Sequence, residues 1–308
     1  MNLEQRARTF LATAQQQPGC TPYDNKRPVH IGKRFAGQTL RQLLEGFDAR
    51  DLPPDAIDAW LQEGRITVDG KLVTPERVLV LGNTVEVTYR NAVEPKIAPG
   101  LRLVAEDAAV MVIDKPAPLP VHPCGRYNKN TLTKLSELAW PDLRLRLVHR
   151  LDAQTTGLMV LAKSPAVAQA LVAQFSERRV KKTYLARVAG HPNHDALGLN
   201  AAIAEAPGEA GRRAVDSTGL AARTTVQVVA RLADGTSLLE VVPHTGRTHQ
   251  IRLHLAHAGH AIVGDNDYGH AQPDDVLCLH AHRISLLHPV AKQERSYETA
   301  LPSWWPIS

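Results

Sequence analysis

The amino-acid sequence predicts an α+β protein with two parts. The larger part is expected to hold a mixed, largely antiparallel β-sheet with flanking helices, and the smaller, N-terminal part to be a module of helices and β-hairpins. After residue 101, β-rich runs outnumber helical patterns and do not alternate regularly with them. The stretch "NAVEPKIAPG" carries two prolines and a glycine between the two parts. The 308 residues suffice for a core domain plus a module of this kind.

The N-terminal region divides at about residue 34. Residues 1–34 are polar, with Gly19, Pro22 and Pro28, and are expected to form an extension. Within the small domain, 35–92, "TLRQLLEGF" and "PPDAIDAWLQEGR" have the apolar spacing of helices. "ITVDGKLVT" predicts a hairpin through Asp69 and Gly70, and "VLVLGNTVEVTYR" places a Gly-Asn turn between two further β-rich runs.

Residues 93–101 form the predicted linker, and 102–308 the large domain. Its predicted strands are 102–105, 109–114, 145–149, 157–162, 183–189, 224–230 and 237–242, and its predicted helices are 131–139, 165–178 and 247–258. The segment 204–214 is expected to be a loop or insertion.

The overall composition indicates an ordinary globular protein with a mild basic excess. The formal net charge is +5, a weak preference for polyanionic partners. Three widely spaced cysteines, Cys20, Cys124 and Cys278, argue against a disulfide framework and suit a reducing cytoplasm. No apolar run approaches the roughly 20 residues that span a bilayer, and the N-terminus lacks the apolar core of a secretory signal. We expect a cytoplasmic monomer with no membrane partner.

One carboxylate stands out in "LVHRLDAQTTGLMVLAKS". Asp152 is the only acidic residue between Asp142 and Glu177, although basic residues occur on both sides. It follows one predicted strand and precedes another, so it is expected at the mouth of a sheet, a usual position for a functional residue. Spacing alone favours a simpler interpretation, in which Asp152 caps a turn through its own backbone.

The small domain resembles the RNA-binding domain first named from ribosomal protein S-four. The matching parts are "LRQLL", "LQEGRITVDGKLV" and "VLVLGNTVEV". In that family the second helix and its turn present basic residues to RNA phosphates. The resemblance therefore implies RNA contacts by Lys33, Arg34, Arg41, Arg65 and Lys71. For any one of these residues, a merely solvated charge is the competing interpretation.

The large domain resembles the RluA-type pseudouridine synthases. The family pattern HRLD, two variable residues and T-S-G appears here as "HRLDAQTTG", with Thr156 in place of the commoner Ser. "DKPAPLPVHP", "VKKTYLARVAGH", "VVPHTGRTHQIRLHLAHAGHAIVGDNDYG" and "LCLHAHRISLLHP" match further family segments in the same order. The similarity extends from Leu103 to Pro289.

The resemblance implies three catalytic residues. Asp152 matches the catalytic aspartate, Tyr184 the tyrosine that lies against the target base, and Arg252 the basic residue that pairs with the aspartate. Isomerising uridine breaks its N-glycosidic bond and rejoins the base through carbon 5. An ionised carboxylate can attack the anomeric carbon or take a proton that starts an elimination, and an adjacent arginine favours the ionised form. Since substrate and product are isomers, no cofactor and no metal is expected.

A uridine within folded RNA must leave its stack before a side chain can reach it. Arg150 is a candidate for that step. Basic residues near the motifs are candidates for phosphate contacts: Arg178, Arg179, Lys181, Lys182 and Arg247. The cluster at 178–182 also suits a solvated helix end. Ribosomal RNA is the favoured target because an appended small domain suggests a large structured substrate, and transfer RNA stays open.

Two other functional classes compete with this interpretation. A non-catalytic RNA-binding or ribosome-assembly protein would use the same basic surface, but a protein that had lost its activity would more readily have lost one of Asp152, Tyr184 and Arg252. A metal-dependent hydrolase is suggested by four histidines close together in the sequence, with Asp265 nearby. The histidines are His249, His254, His257 and His260. The sequence lacks HExxH and its water-activating glutamate, which makes this alternative the weakest.

Overall fold

The structure, a computed structural model, describes residues 2–47, 52–206, 212–271, 275–303 and 305. It divides into two compact units. The larger unit comprises residues 1–16, 96–122 and 131–308, and the smaller unit comprises 17–95 and 123–130. Within the described ranges, no helix combines the length and the apolar character needed to cross a membrane.

The larger unit holds the predicted sheet. Its helices are α1 (Leu3–Gln15), α4 (Leu132–Ala139), α5 (Pro165–Ser176) and α6 (Gln250–His257). Its strands are β4 (Arg102–Glu106), β5 (Val110–Lys115), β6 (Arg146–Leu147), β7 (Thr156–Ala162), β8 (Lys181–Ala189), β9 (Ala196–Leu199), β10 (Ile203–Glu205), β11 (Arg213–Val215), β12 (Thr224–Arg231), β13 (Thr236–Pro243), β14 (Leu279–Leu287) and β15 (Glu294–Glu298).

Ten of these strands form one sheet, in the order β4-β5-β7-β14-β8-β13-β12-β9, with β15 beside β14 and β6 beside β7. Only the pairing of β14 with β7 is parallel among the described strands of this sheet, so it is mixed and largely antiparallel, as the sequence predicts. Strands β10 and β11 form a separate antiparallel pair. Strand β7 is buried along its whole length, which explains its unbroken apolar run.

Two apolar clusters support the sheet. One joins α5 to the central strands through Leu171, Val160 and Ile284. The other packs α6 against β8 and β13, with Leu255 and Val241 fully buried. Burying a side chain of this size stabilises the fold by roughly 1.5–3 kcal/mol. The ends of β7 and β8 and the start of α6 are therefore held by a rigid core.

Helix α1 revises the expected 1–34 extension. Residues 3–15 form this helix in the larger unit, where Phe10 is fully buried 5.4 Å from the Trp140 ring. The Arg6 Nε also donates to Glu106 at 2.7 Å. The helix was missed because few of its residues are apolar. A capping box between Asn2 and Gln5 is the local signal that could have indicated it.

The smaller unit contains β1 (Tyr23–His30), α2 (Leu40–Glu45), a 3₁₀ turn (Pro54–Ala56), α3 (Ile57–Gln62), β2 (Ile66–Val68) and β3 (Thr84–Ala92). Its sheet has the order β1-β3-β2. Strand β1 was also assigned to the extension; its Pro28 is tolerated because β1 is an edge strand. Residues 123–130 join this unit through Glu94, a buried carboxylate that accepts the Lys129 and Asn130 N–H groups at 2.8 Å each.

The predicted turns and helices agree with the structure better than the predicted hairpin arms. Asp69 and Gly70 both have positive φ, 50° and 74°, as a type I′ turn requires. The second arm of the hairpin predicted around this turn, however, is reduced to a single β-bridge from Lys71 to Val68. Of the two runs around the Gly82-Asn83 turn, only the second forms a strand, β3. In the segment expected to be a loop, β10 and β11 form, while 207–211 lie outside the described residues.

Candidate active site

Asp152 lies in the loop between β6 and β7, and that loop is fixed by buried hydrogen bonds. The Thr155 N–H donates to the Asp152 carbonyl at 3.1 Å, closing a turn. Lys115 is fully buried at the end of β5, and its Nζ donates to three carbonyls, among them Leu119 at 3.0 Å and Ala153 at 3.1 Å. Burial lowers the pKa of Lys115 to about 7, while the charge of Asp152 acts in the opposite direction. The backbone on both sides of Asp152 is thus held firmly.

Gly157 brings β7 close to β14 directly after this loop. Its φ is +109°, and a Cβ there would lie 2.4 Å from the carbonyl oxygen of Ala281. No other residue type fits so close an approach of two backbones. The neighbouring Thr156 hydroxyl contacts Nδ1 of His280 at 2.8 Å, so a threonine keeps the hydroxyl that the commoner serine would supply.

Arg252 approaches Asp152 from helix α6. Its Nη1 lies 3.8 Å from Oδ2 of Asp152. Its Nε and Nη2 donate to the two oxygens of buried Asp265 at 2.8 and 2.7 Å, and Nη2 also donates to Asp267 at 2.5 Å. These hydrogen bonds and nearby carboxylates outweigh the cost of burial, so the pKa of Arg252 is raised. The guanidinium is therefore charged and fixed in orientation before any substrate arrives.

His249 reaches the same carboxylate oxygen. It caps α6 in a left-handed conformation with φ 56°, and its Nε2 lies 3.9 Å from Oδ2 of Asp152. Its Nδ1 contacts the Tyr268 hydroxyl at 2.8 Å. Burial lowers the pKa of His249, partly opposed by the charge of Asp152. The imidazole is accordingly neutral near pH 7.

Tyr184 stands on β8, opposite Val241 of β13 and Ala281 of β14. Burial and the charge of Asp152 both raise the pKa of its phenol. Tyr184 is therefore a protonated, apolar ring with one polar tip at neutral pH. Asp152, Tyr184 and Arg252, which the sequence placed far apart, line one cavity.

That cavity has a volume of about 780 Å³ and is strongly basic. Asp152 is the only carboxylate among its described lining residues, and its basic lining residues are Arg150, Arg178, Lys181, Lys182, Arg223, Arg247 and Arg252. A concave site of this size with converging polar groups is typical of substrate binding. The concentration of positive charge suits an anionic ligand.

The predicted RNA contacts divide into those at the cavity and those elsewhere. Five of them line it: Arg150, Arg178, Lys181, Lys182 and Arg247. Arg179 does not, and pairs instead with Glu177 at 2.6 Å.

The remaining candidates lie in the smaller unit. Arg41 forms an ion pair with Asp58, and the Arg65 guanidinium stacks 3.4 Å from the Trp60 ring centre. Lys33, Arg34 and Lys71 are exposed.

Comparisons with known proteins show that this chain is similar to RNA pseudouridylate synthases. Residues 109–257 match the family model of RNA pseudouridylate synthase. A ribosomal large subunit pseudouridine synthase D from Nitrosomonas europaea is 33% identical over 97% of this chain and 92% of that protein. The chain belongs to the RNA pseudouridylate synthase family. A ribosomal large subunit pseudouridine synthase C from Vibrio vulnificus is 30% identical over 86% of this chain and 90% of its own length.

Solved structures agree with this family assignment. The structure of human RNA pseudouridylate synthase domain containing 1 superimposes with a TM-score of 0.56 at 28% identity, covering 67% of this chain and 86% of that one. The predicted enzyme class, an RNA pseudouridine synthase, is therefore confirmed, and RNA is its substrate.

Several residues of the pseudouridylate synthase cavity were not identified from the sequence. Arg223 lies at the start of β12 without a motif around it. His149, in the HRLD segment, accepts the Val160 N–H at 2.9 Å and stacks on Phe175 with ring centres 4.6 Å apart. Burial and the charge of Lys182 lower the pKa of His149 to about 3, so it remains neutral and anchors the Asp152 loop to β7. Only the tertiary fold places these groups around Asp152.

The histidines considered as metal ligands are used in other ways. His254 is buried and contacts the Thr224 hydroxyl at 2.9 Å and the Ala201 carbonyl at 2.8 Å. The Asp265 carboxylate accepts a hydrogen bond from the Arg252 guanidinium. Across the described part of the chain, no three His, Cys, Asp or Glu side chains are grouped to hold a metal ion.

Proposed function

We propose that this enzyme converts specific uridines of large-subunit ribosomal RNA to pseudouridine in the cytoplasm, acting as a monomer. The observation that carries the proposal is that Asp152 is the only carboxylate among the described residues of a cavity lined by seven basic side chains. Relatives named as ribosomal large subunit pseudouridine synthases support the choice of RNA. Transfer RNA is the alternative substrate that a mapping experiment would reveal.

Asp152 is proposed to react with the uridine. Its carboxylate either attacks the anomeric carbon of the ribose or removes a proton that begins an elimination, and both routes release uracil from its N-glycosidic bond. The freed base turns and rejoins the sugar through carbon 5. Arg252 is proposed to offset the negative charge of the Asp152 carboxylate, because Asp265 and Asp267 hold its guanidinium 3.8 Å from that group.

Tyr184 is proposed to support the turning base. A protonated phenol offers a flat apolar face, and stacking of a base on an aromatic ring contributes about 1–3 kcal/mol. The raised pKa of Tyr184 keeps its phenol protonated at neutral pH, so its hydroxyl can take the proton from carbon 5 only by passing its own proton on, as a relay.

The basic cavity wall is proposed to hold the RNA around the extruded uridine. Arg150 is exposed next to the catalytic carboxylate and is suited to occupy the gap in the stack that the uridine leaves. Arg178, Lys181 and Arg247, which line the cavity, are proposed to bind phosphates. The smaller unit is proposed to be an S-four-like RNA-binding domain that adds affinity through Lys33, Arg34 and Lys71, which the structure leaves exposed.

The test is to map pseudouridine in RNA that carries no modifications. Purified wild-type protein and Asp152→Asn are each incubated with total bacterial RNA transcribed in vitro, without added metal or nucleotide. Carbodiimide treatment followed by reverse transcription then marks each pseudouridine as a stop. We expect new stops in large-subunit ribosomal RNA with the wild-type protein alone. Tight RNA binding by both proteins with stops from neither would favour a non-catalytic binder, and stops only in transfer RNA would replace the proposed target.

A further inference from the structure

Two nitrogen donors converge on one oxygen of the catalytic carboxylate. Arg252 Nη1 lies 3.8 Å and His249 Nε2 3.9 Å from the same atom, Oδ2 of Asp152. Such contacts are often long without substrate and shorten in the reacting complex. With Oδ2 approached by nitrogens from two directions, Oδ1 is the oxygen left to meet the uridine.

The hydrogen-bond partner of Nδ1 determines which of the two ring nitrogens of His249 carries the proton. The Tyr268 hydroxyl accepts the Arg213 N–H at 3.0 Å, and it contacts His249 Nδ1 at 2.8 Å. In the neutral imidazole, Nδ1 accepts a hydrogen bond from the Tyr268 hydroxyl, and Nε2 bears the ring hydrogen. In the protonated imidazole both nitrogens bear one. In either state, therefore, an N–H group points from His249 toward Asp152.

Tyr268 is itself held by several contacts. Its ring lies edge-on to the His249 ring, with centres 5.6 Å apart, and the Arg252 guanidinium stands 5.1 Å from its centre. Because its hydroxyl also accepts a backbone N–H of β11, Tyr268 joins both donors of Asp152 to the β10–β11 pair. A shift of about 1 Å in a reacting group can cost roughly 100-fold in rate, so this support is functionally significant.

We propose that His249 is a positioning residue that orients Asp152 through its Nε2–H, and that Tyr268 fixes His249 and ties it to strand β11. The inference rests on the proposed uridine isomerisation, in which Asp152 reacts. It requires no proton transfer by His249: the imidazole acts only as an oriented donor. A glutamine, whose side-chain amide also donates a hydrogen bond but transfers no proton, should then replace it in part.

The experiment measures single-turnover rates and RNA affinity in the full chain. The substrate is an unmodified large-subunit ribosomal RNA transcript tritiated at carbon 5 of uridine, which releases tritium when carbon 5 bonds to the sugar. The variants are His249→Ala, His249→Gln and Tyr268→Phe. His257→Gln is the control, since His257 is an exposed histidine of the same helix that does not line the cavity.

At saturating RNA, His249→Ala should be slower than wild type by roughly 10- to 100-fold with its Kd changed less than about twofold. His249→Gln should recover part of that rate, Tyr268→Phe should lose a few-fold, and the control should match wild type. A wild-type rate for His249→Ala overturns the proposal, as does a weakened Kd without a rate loss. A folded His249→Gln as slow as the alanine variant overturns it in favour of proton transfer.

Two further outcomes keep the result interpretable. Should His249→Ala fail to fold, Tyr268→Phe decides, since a rate equal to wild type would show that fixing His249 is unnecessary. Absence of tritium release and of pseudouridine with the wild-type protein would instead refute the proposed function. The failure of one inference is thus distinguished from the failure of the other.

Discussion

The cations of the cavity and those of the smaller unit differ in what surrounds them. In the smaller unit, Arg41 pairs with Asp58, and Arg65 lies over Trp60 with Glu63 at 3.6 Å. In the cavity, Arg252 is paired with Asp265 and Asp267, whereas the other six basic side chains share a wall with one carboxylate among the described lining residues, Asp152. A charge already paired contributes little to binding a new anion, because the existing pair must be broken or shared. The distribution of partners, more than the net charge of +5, therefore indicates where RNA is held most tightly.

Asp152→Asn should give the largest effect, because it removes the only carboxylate among the described residues of the cavity wall. The single-turnover rate on the tritiated transcript should fall by about 10⁴-fold or more, as expected when a reacting group is lost. RNA affinity should stay the same or rise slightly, since a negative charge is removed from a basic site. Circular dichroism would verify folding, and substantial residual turnover by the pure variant would contradict the mechanism.

Asp265→Asn should be the next most severe change. Asp265 accepts two hydrogen bonds from Arg252 and two from the Asp267 and Tyr268 N–H groups, and its side chain is fully buried. Breaking a buried ion pair costs about 3–5 kcal/mol in unfolding free energy. Misplacing Arg252 should also slow turnover roughly 100-fold. Chemical denaturation and single-turnover kinetics measure the two effects.

The control for this change is Asp267→Asn, because Asp267 contacts the same guanidinium with a half-exposed carboxylate. Its loss in stability should be much smaller. The pKa of Asp265 is lowered in the folded protein, chiefly by its bonds to Arg252, which overcome the effect of burial. The contribution of Asp265 to the free energy of unfolding is therefore fully present above its pKa in the unfolded chain, about 3.9, and is lost as the pH falls further. The stability gap between wild type and Asp265→Asn should shrink in acid, and a gap independent of pH would contradict this assignment.

Arg178→Gln combined with Lys181→Gln tests whether the cations of the cavity hold RNA. Both side chains line the cavity, and Glu294, the ion-pair partner of Lys181 at 3.7 Å, is itself exposed. RNA affinity should fall and the slope of log affinity against log salt should decrease by up to about 0.9 per lost phosphate contact, or about 0.7 on single-stranded RNA. Filter binding between low and moderate salt measures this. Arg179→Gln is the control, because Arg179 pairs with Glu177 outside the cavity, and an equal loss there would remove the distinction.

The smallest effect is expected from Lys33→Gln, Arg34→Gln and Lys71→Gln together. These exposed residues should add affinity for RNA without changing the rate at saturation. The matched control places the same three-charge loss at Arg8, Lys134 and Lys292 of the larger unit, which do not line the cavity. Equal affinity of the two triple variants would show that the smaller unit makes no specific RNA contact.

The sequence was sufficient for the parts of the site that are carried by local motifs. "HRLD" located Asp152, and "HQIRLHL" located Arg252 on a helix that the apolar spacing also predicted. His249, two residues after the start of the predicted helix 247–258 and three before Arg252, was noticed only as a metal candidate. Its contact with Tyr268 depends on a left-handed backbone and on a loop 19 residues away, which no local pattern encodes.

The same distinction applies to the fold. Strands with long apolar runs, such as β5 and β7, were predicted because burial on both faces leaves a strong signal. Helix α1, β1, β9 and the β10–β11 pair carry few buried residues, so their apolar signal was too weak. Their positions follow from partners far along the chain, as with Phe10 and Trp140.

The placement of α1 also sets an order of events during synthesis. The larger unit is discontinuous in the chain: α1 ends at Gln15, and its packing partner α4 begins at Leu132. At typical translation speeds of about 5–20 residues per second, α1 emerges on the order of 10 s before α4. The 17–95 segment is complete within that interval and has its own apolar core, so it is able to fold first. Any shortened form of the enzyme that begins after α1 leaves the ring of Trp140 without Phe10, and its larger unit would begin folding with that face unprotected.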